Sequence, residues 1–157
     1  MQNELSRKQS MSRPQTLKEV ATVAMSGLKT FGNAIDEFID EFYLDHPNKR
    51  MQQRRIDEAP ATTGDSLQDA WLGAVGEHLA RRWALNVPAW TRRPEHYAVR
   101  RPIFIPDSRA LRPVLLAESP AAFRSRMLFT FAEPLQRARF PRDPGSEKMP
   151  PHSRTGS

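Results

Sequence analysis

The chain contains no cysteine. That excludes disulfides and thiolate metal sites and removes any argument for secretion from cysteine pairing. No apolar run approaches the roughly 20 residues needed to cross a bilayer. The opening stretch MQNELSRKQSMSRPQ lacks the apolar centre of a signal peptide. It is also too short and weakly patterned for an amphipathic organelle presequence. A bacterial-type cytoplasm is therefore the expected compartment, without membrane association. The seven glycines are scattered, with neither P-loop nor dinucleotide-binding spacing, so no phosphate-cradling loop is expected. Hydrophobic residues are also sparse, at 38%.

Proline is plentiful: 14 of 157 residues, close to twice the usual share. The length suits one domain with a modest core. Together these features predict an ordered centre with long extended connections and polar ends. Net charge is +6 but unevenly spread. Residues 36–45, DEFIDEFYLD, hold five acids and no base, whereas residues 81–101 hold six arginines against the single acid Glu95. A basic surplus can attract nucleic acid by counterion release. The plainer reading is a solvated surface with scattered arginines.

Apolar spacing organises the centre. Thr16 opens the capping-box pattern TLKE, with Glu19 reaching back, and Leu17, Val20, Ala21, Ala24 and Leu28 fall on one helical face. Gly27 and Gly32 allow a bend before the next stripe of Phe31, Ile35, Phe38, Ile39 and Phe42. Asp36, Glu37, Asp40 and Glu41 occupy the opposite side, and Pro47 ends that helix. Residues 47–64 read as a polar connection with a helical turn near Met51–Ile56. Asp65 or Ser66 caps a third helix, whose buried face would carry Leu67, Ala70, Trp71, Ala74, His78, Leu79 and Arg82. Asn86 is its expected left-handed terminus.

Prolines at 88, 94, 102, 106 and 113 keep the following stretch extended, while Trp90, Tyr97, Ile103, Phe104 and Ile105 give it anchors. It reads as an ordered strap across the helices, with a short strand possible at 103–105. Leu111–Leu116 fits a short helix or a buried extended run. Ser119-Pro120 then matches an N-cap followed by a first helical residue, so SPAAFRSR is expected to be helical with Phe123 inward. A last turn or two is expected over Glu133–Arg139. The resulting class is mainly α: a small single-domain helical bundle crossed by a long proline-rich segment, with little or no sheet. The expected organisation is a disordered arm over 1–15, a helical domain over 16–140 and a disordered tail over 141–157.

Signals for chemistry are weak. His46, His78, His96 and His152 show no paired metal-ligand spacing, so neither metal nor cofactor is expected. His78 reads as a core-edge histidine with a hydrogen-bond partner. Nothing apolar flanks Asp36, Glu37, Asp40 and Glu41 to shift their pKa values, leaving solubility or docking of a basic partner. Ser119 precedes proline and lies in no nucleophile elbow. Arg124 and Arg126 could clamp an anion, or lay their stems over the core. In RRWALNVPAWTRR, aromatics interleave with arginine as in single-strand nucleic-acid readers, though Trp83 and Trp90 also suit core positions at a helix end. No enzymatic activity is expected.

Taken in order, FGNAIDEFIDEFYLD, DAWLGAVGEHLARRWAL, VPAWT and LLAESPAAFRSRMLFTF resemble a group of small bacterial proteins. Their pattern runs EFLDEFY, an AEHLA helix, P-x-W and ESPxxFRxRNLF. The likeness covers about residues 16–139. Similar segments follow helix-turn-helix domains in some regulators and stand alone beside nucleotidyltransferase-like toxins. Met127 departs from the pattern's Asn, and Pro134 enters near the start of the last helix. Residues 1–15 are too short for a helix-turn-helix, so direct operator binding is not expected. The resemblance implies an antitoxin-like interaction module that covers a partner's surface. Candidate partner-binding residues are Asp36, Glu37, Asp40, Glu41, Trp90, Arg92, Arg93, Arg124 and Arg126. The alternative is a nucleic-acid-binding regulator using Arg81, Arg82, Arg92, Arg93, Arg100 and Arg101.

Overall fold

A computed structural model describes residues 13–141; the rest of the expected arm and tail, 1–12 and 142–157, lies outside the described residues. Six α-helices occur within that range: α1 Leu17–Ser26, α2 Phe31–Leu44, α3 Lys49–Asp57, α4 Ser66–Arg82, α5 Arg112–Glu118 and α6 Ala121–Arg124. Two short strands, β1 Ile103–Phe104 and β2 Leu128–Phe129, pair in parallel with Ile103 opposite Leu128. The mainly helical class with minimal sheet is the observed one.

Caps mark the helix starts. Thr16 Oγ1 accepts from the Glu19 amide at 3.1 Å, while Glu19 reaches back to the amide of Gln15, one residue before the cap. Gly27, at φ 75°, closes α1 in the left-handed conformation, so Leu28 lies past the helix and is exposed. Ile35, Phe38, Ile39 and Phe42 of α2 are buried as their spacing requires. The polar connection holds a full helix, α3. Asn48 caps it by accepting from the Met51 amide, and Ile56 is buried beneath it. Asp65 caps α4 through the amides of Leu67 and Gln68.

The third predicted helix departs most from its sequence reading. A single buried face was expected, yet every residue of α4 from Leu72 to Ala80 is buried. Other elements cover α4 on all sides, so its periodicity conveys little about which face is inward. Leu67, assigned to the inner stripe, is 39% exposed. The helix also ends earlier than expected: the left-handed residue beyond it is Ala84, at φ 56°, and not Asn86.

The strap packs on α4 as two 3-10 turns, Ala89–Arg92 and Pro94–Tyr97. Two helical glycines admit it. A Cβ on Gly73 would stand 2.6 Å from His96 Cβ, and one on Gly76 would stand 2.9 Å from the Trp90 ring. Either approach is inside van der Waals contact, so the residues opposite need a partner without a side chain.

Ser119 is not the N-cap of α6; that position falls to Pro120. Ser119 terminates α5, where its hydroxyl lies within 2.5 Å of Leu115 O and accepts from the Thr130 amide at 2.8 Å. The buried hydroxyl thereby joins the end of α5 to the residue after β2. Phe123 is fully buried, as expected. Glu133–Arg139 contains turns and no helix, with Pro134 near its start. This segment is held instead by Leu135, whose carbonyl accepts from Tyr43 Oη at 2.7 Å. Residues 13–15, expected in the arm, pack on the domain: Pro14 is buried and Arg55 donates to the Gln15 carbonyl.

Candidate interaction surface

The acids of α2, and Asp45 just past its end, meet cations from four other parts of the chain. Arg137 makes a two-pronged contact with Asp40, at 3.0 and 2.9 Å, and approaches Asp36 at 3.5 Å. Lys29 holds Glu37 at 2.6 Å, Arg13 holds Glu41 at 2.6 Å, and Arg55 pairs with Asp45. The hydrogen bonds from Arg137 lower the Asp40 pKa below its ordinary value. These pairs correct the picture of Asp36, Glu37, Asp40 and Glu41 as a free acidic docking face. A partner using them would first have to displace cations already there.

The arginines divide into two groups. Arg81 pairs with Glu77 one helical turn away, at 3.1 Å. Arg82 reaches Glu133 at 3.1 Å and lies over the Trp83 ring, 4.6 Å from its centroid. Arg92, Arg93, Arg100 and Arg101 are exposed and make no ion pair among the described residues. The interleaved tryptophans do not share that surface. Trp90 is 4% exposed, with its Nε1 donating to Ile56 O, and Trp83 is likewise buried. Trp90 is thus a core residue and not a docking anchor; the Gly76 notch gives it room.

Arg124 and Arg126 also prove structural. Arg124 Nη2 reaches the carbonyls of Leu116, Ala117 and Ser119, satisfying the C-terminus of α5. Arg126 is 1% exposed. It donates to Ala122 O and Thr91 O, both at 2.7 Å, and to Glu77 Oε1 at 3.3 Å. Its guanidinium lies 4.2 Å from the Tyr97 ring centroid. One buried cation therefore joins α4, the strap and the end of α6. Sequence spacing could not separate this arginine from Arg124, two residues away.

The remaining polar groups are also engaged in packing. His96 Nδ1 lies 2.6 Å from Asp69 O, and Asp69 Oδ1 accepts from Thr63 Oγ1 at 2.9 Å. His78 is buried edge-on against Phe123, without the expected hydrogen bond among the described residues. Burial, assisted by Arg82, lowers its pKa to about 4, so it is neutral near pH 7. Among the described residues, no three His, Asp or Glu side chains gather where they could hold a metal ion. No helix among them is long and apolar enough to cross a membrane.

One surface region is differently built. A groove of about 400 Å³ runs between the starts of α2 and α4 and the strap, with Phe31, Ile35, Leu67, Trp71 and Ile105 in its walls. A second hollow, of about 290 Å³, continues past Trp71 and Ile105 to Phe131. Leu67 and Phe131 are the most open of these side chains, at 39% and 42% exposure. The sequence reading placed Leu67 and Trp71 in the core stripe; their position in the first turns of α4, before the strap closes over it, was the available clue.

Fold and surface define a small helical domain in which most of the candidate polar groups are engaged within the chain, the strap arginines at 92, 93, 100 and 101 excepted, and whose apolar groove is open. No protein-family model matches the chain, and no curated protein or solved structure matches it.

Proposed function

We propose that this chain is a non-enzymatic protein-interaction module that acts by occupying a partner's surface. The observation supporting it is the uncovered groove from Phe31 through Trp71 to Phe131. Apolar surface left in contact with water costs about 25 cal/mol per Å², which a bound partner would recover. The motif resemblance adds a partner class: an antitoxin-like role, in which the chain covers the active surface of a nucleotidyltransferase-type toxin. Co-purification with the product of a neighbouring gene, at low and high salt, tests this. Co-elution that survives high salt is expected from an apolar contact, and absence of co-elution under both conditions counts against the reading.

A second reading draws on Arg92, Arg93, Arg100 and Arg101, which no carboxylate among the described residues neutralises. They would suit a nucleic-acid-binding regulator through phosphate contacts. Burial of Trp83 and Trp90 removes the base-stacking part of that hypothesis. Its test is a mobility-shift titration with DNA and RNA. Phosphate binding predicts affinity that falls steeply with salt, and no shift at low salt removes the reading.

A further inference from the structure

Trp83 and Trp90 are buried, but a third aromatic of the arginine-rich stretch is not. Tyr97, expected from the sequence to anchor the strap, is 37% exposed. The buried Arg126 guanidinium lies over its ring, 4.2 Å from the centroid, so the open ring face is the opposite one. Arg126 is itself held by Ala122 O, Thr91 O and Glu77, which sets the ring against a fixed support before any ligand arrives. The four exposed arginines without an ion pair among the described residues flank this ring: Arg92 and Arg93 before it, Arg100 and Arg101 after it. A separation of four residues spans at most about 14 Å even when fully extended, and the 3-10 turn Pro94–Tyr97 brings Arg93 closer than that. Just past Tyr97 a hollow of about 290 Å³ opens, with Val99, Arg100, Arg101 and the first turn of α4 in its walls. Two acids adjoin this region: Glu95 within the strap, and Asp65, whose carboxylate accepts the amides of Leu67 and Gln68.

An open aromatic face between unpaired cations suits a ligand with a flat π-system and negative charge on both sides of it. Single-stranded nucleic acid has both, since every base offers a face and every step of the backbone a phosphate. A duplex keeps its base faces stacked inside, and an acidic peptide offers charge without a stacking face. From this juxtaposition we propose that the strap binds single-stranded nucleic acid, with one base stacked on the open face of Tyr97. The phosphates on either side are held by Arg93 and by Arg100 or Arg101, while Glu95 opposes them. This assignment rests on the nucleic-acid reading of the strap and adds to it the strand type and the stacking residue.

The test is fluorescence anisotropy of the full chain with a short labelled oligothymidylate, with a duplex of equal length, and with thymidine monophosphate as competitor. Tyr97→Leu is expected to weaken the single strand by about tenfold without changing the salt slope, and Tyr97→Phe to stay within about twofold of the parent. Arg93→Ser and Arg100→Ser are expected to weaken single strand and duplex alike and to lower the salt slope by about one each. Glu95→Gln is expected to strengthen both. Tyr97→Leu also uncovers Arg126, so the parent chain supplies a second measurement. Irradiated with the same strand carrying 5-iodouracil, it is expected to cross-link at Tyr97, as located by mass spectrometry. Cross-links confined to Trp71 or Phe131 overturn the proposal, as does a monophosphate that competes as well as the strand. Single-strand and duplex binding that both fall in the arginine variants but ignore Tyr97→Leu sink the stacking site and leave the nucleic-acid reading standing. No binding of either at low salt removes that reading, and the site with it.

Discussion

Five carboxylates crowd residues 36–45, and four exposed arginines stand at 92, 93, 100 and 101 of the strap. Both clusters look like docking patches in the sequence. The fold neutralises the first with Arg13, Lys29, Arg55 and Arg137, and leaves the second without carboxylate partners among the described residues. The difference follows from placement. α2 lies where the segments at both ends of the described chain return, bringing Arg13 and Arg137 alongside it. The strap crosses the opposite part of the chain order with only Glu95 nearby in sequence. A charge run therefore predicts a surface patch only when nothing distant in sequence comes back to meet it.

The contrast can be broken most severely at the residue seating the strap. Arg126→Ala would leave Glu77 and the carbonyls of Thr91 and Ala122 without their buried cation. A loss of about 3–5 kcal/mol in urea-unfolding free energy is expected. A loss under 1 kcal/mol would mean that the strap is held by its apolar anchors alone.

The next effect comes from pH. The folded-state pKa of His78 is depressed to about 4 from an ordinary 6.5, so the unfolded chain binds its proton first as pH falls. Its stabilising contribution is complete above pH 6.5 and is lost as pH drops toward 4, by about 2–3 kcal/mol across that window. Asp40, whose pKa is lowered from 3.8, works with the same sign at lower pH, losing its contribution as it protonates below that value. Melting curves between pH 7 and 4 should fall for the parent and stay flatter for His78→Gln; parallel curves would clear His78 of responsibility.

Smaller effects separate the two charge clusters directly. Asp40→Asn should destabilise by about 0.5–1 kcal/mol, because it removes a partly exposed but two-pronged ion pair. The effect should shrink in high salt. Arg92→Ser and Arg101→Ser should change stability by less than about 0.5 kcal/mol, since no ion pair among the described residues is lost. If Arg92→Ser proves as costly as Asp40→Asn, the strap arginines are structural and the contrast disappears.

Much of the helical framework was legible because local rules govern it. The Thr16 cap, the α2 stripe and the Pro47 stop depend on residues within a few positions of one another. The candidate site was much less legible. Trp90 and Arg126 carry the same local signals as exposed tryptophans and arginines; their burial depends on Gly73, Gly76 and Glu77, distant in sequence. Ser119 followed by proline reads as a helix start, but its hydroxyl is drawn to Thr130 by strand pairing that no local pattern specifies.

The sequence by itself determined the helical class and the positions of several caps, because backbone dihedral preferences and apolar periodicity act over a few residues; the proline-rich strap, expected to be extended, is instead largely wound into 3-10 turns. Tertiary structure alone decided which charges remain available and where apolar surface stays open. Ion pairing and solvent exclusion depend on distances in space, and the closing contacts here join residues as distant as Asp40 and Arg137, 97 positions apart.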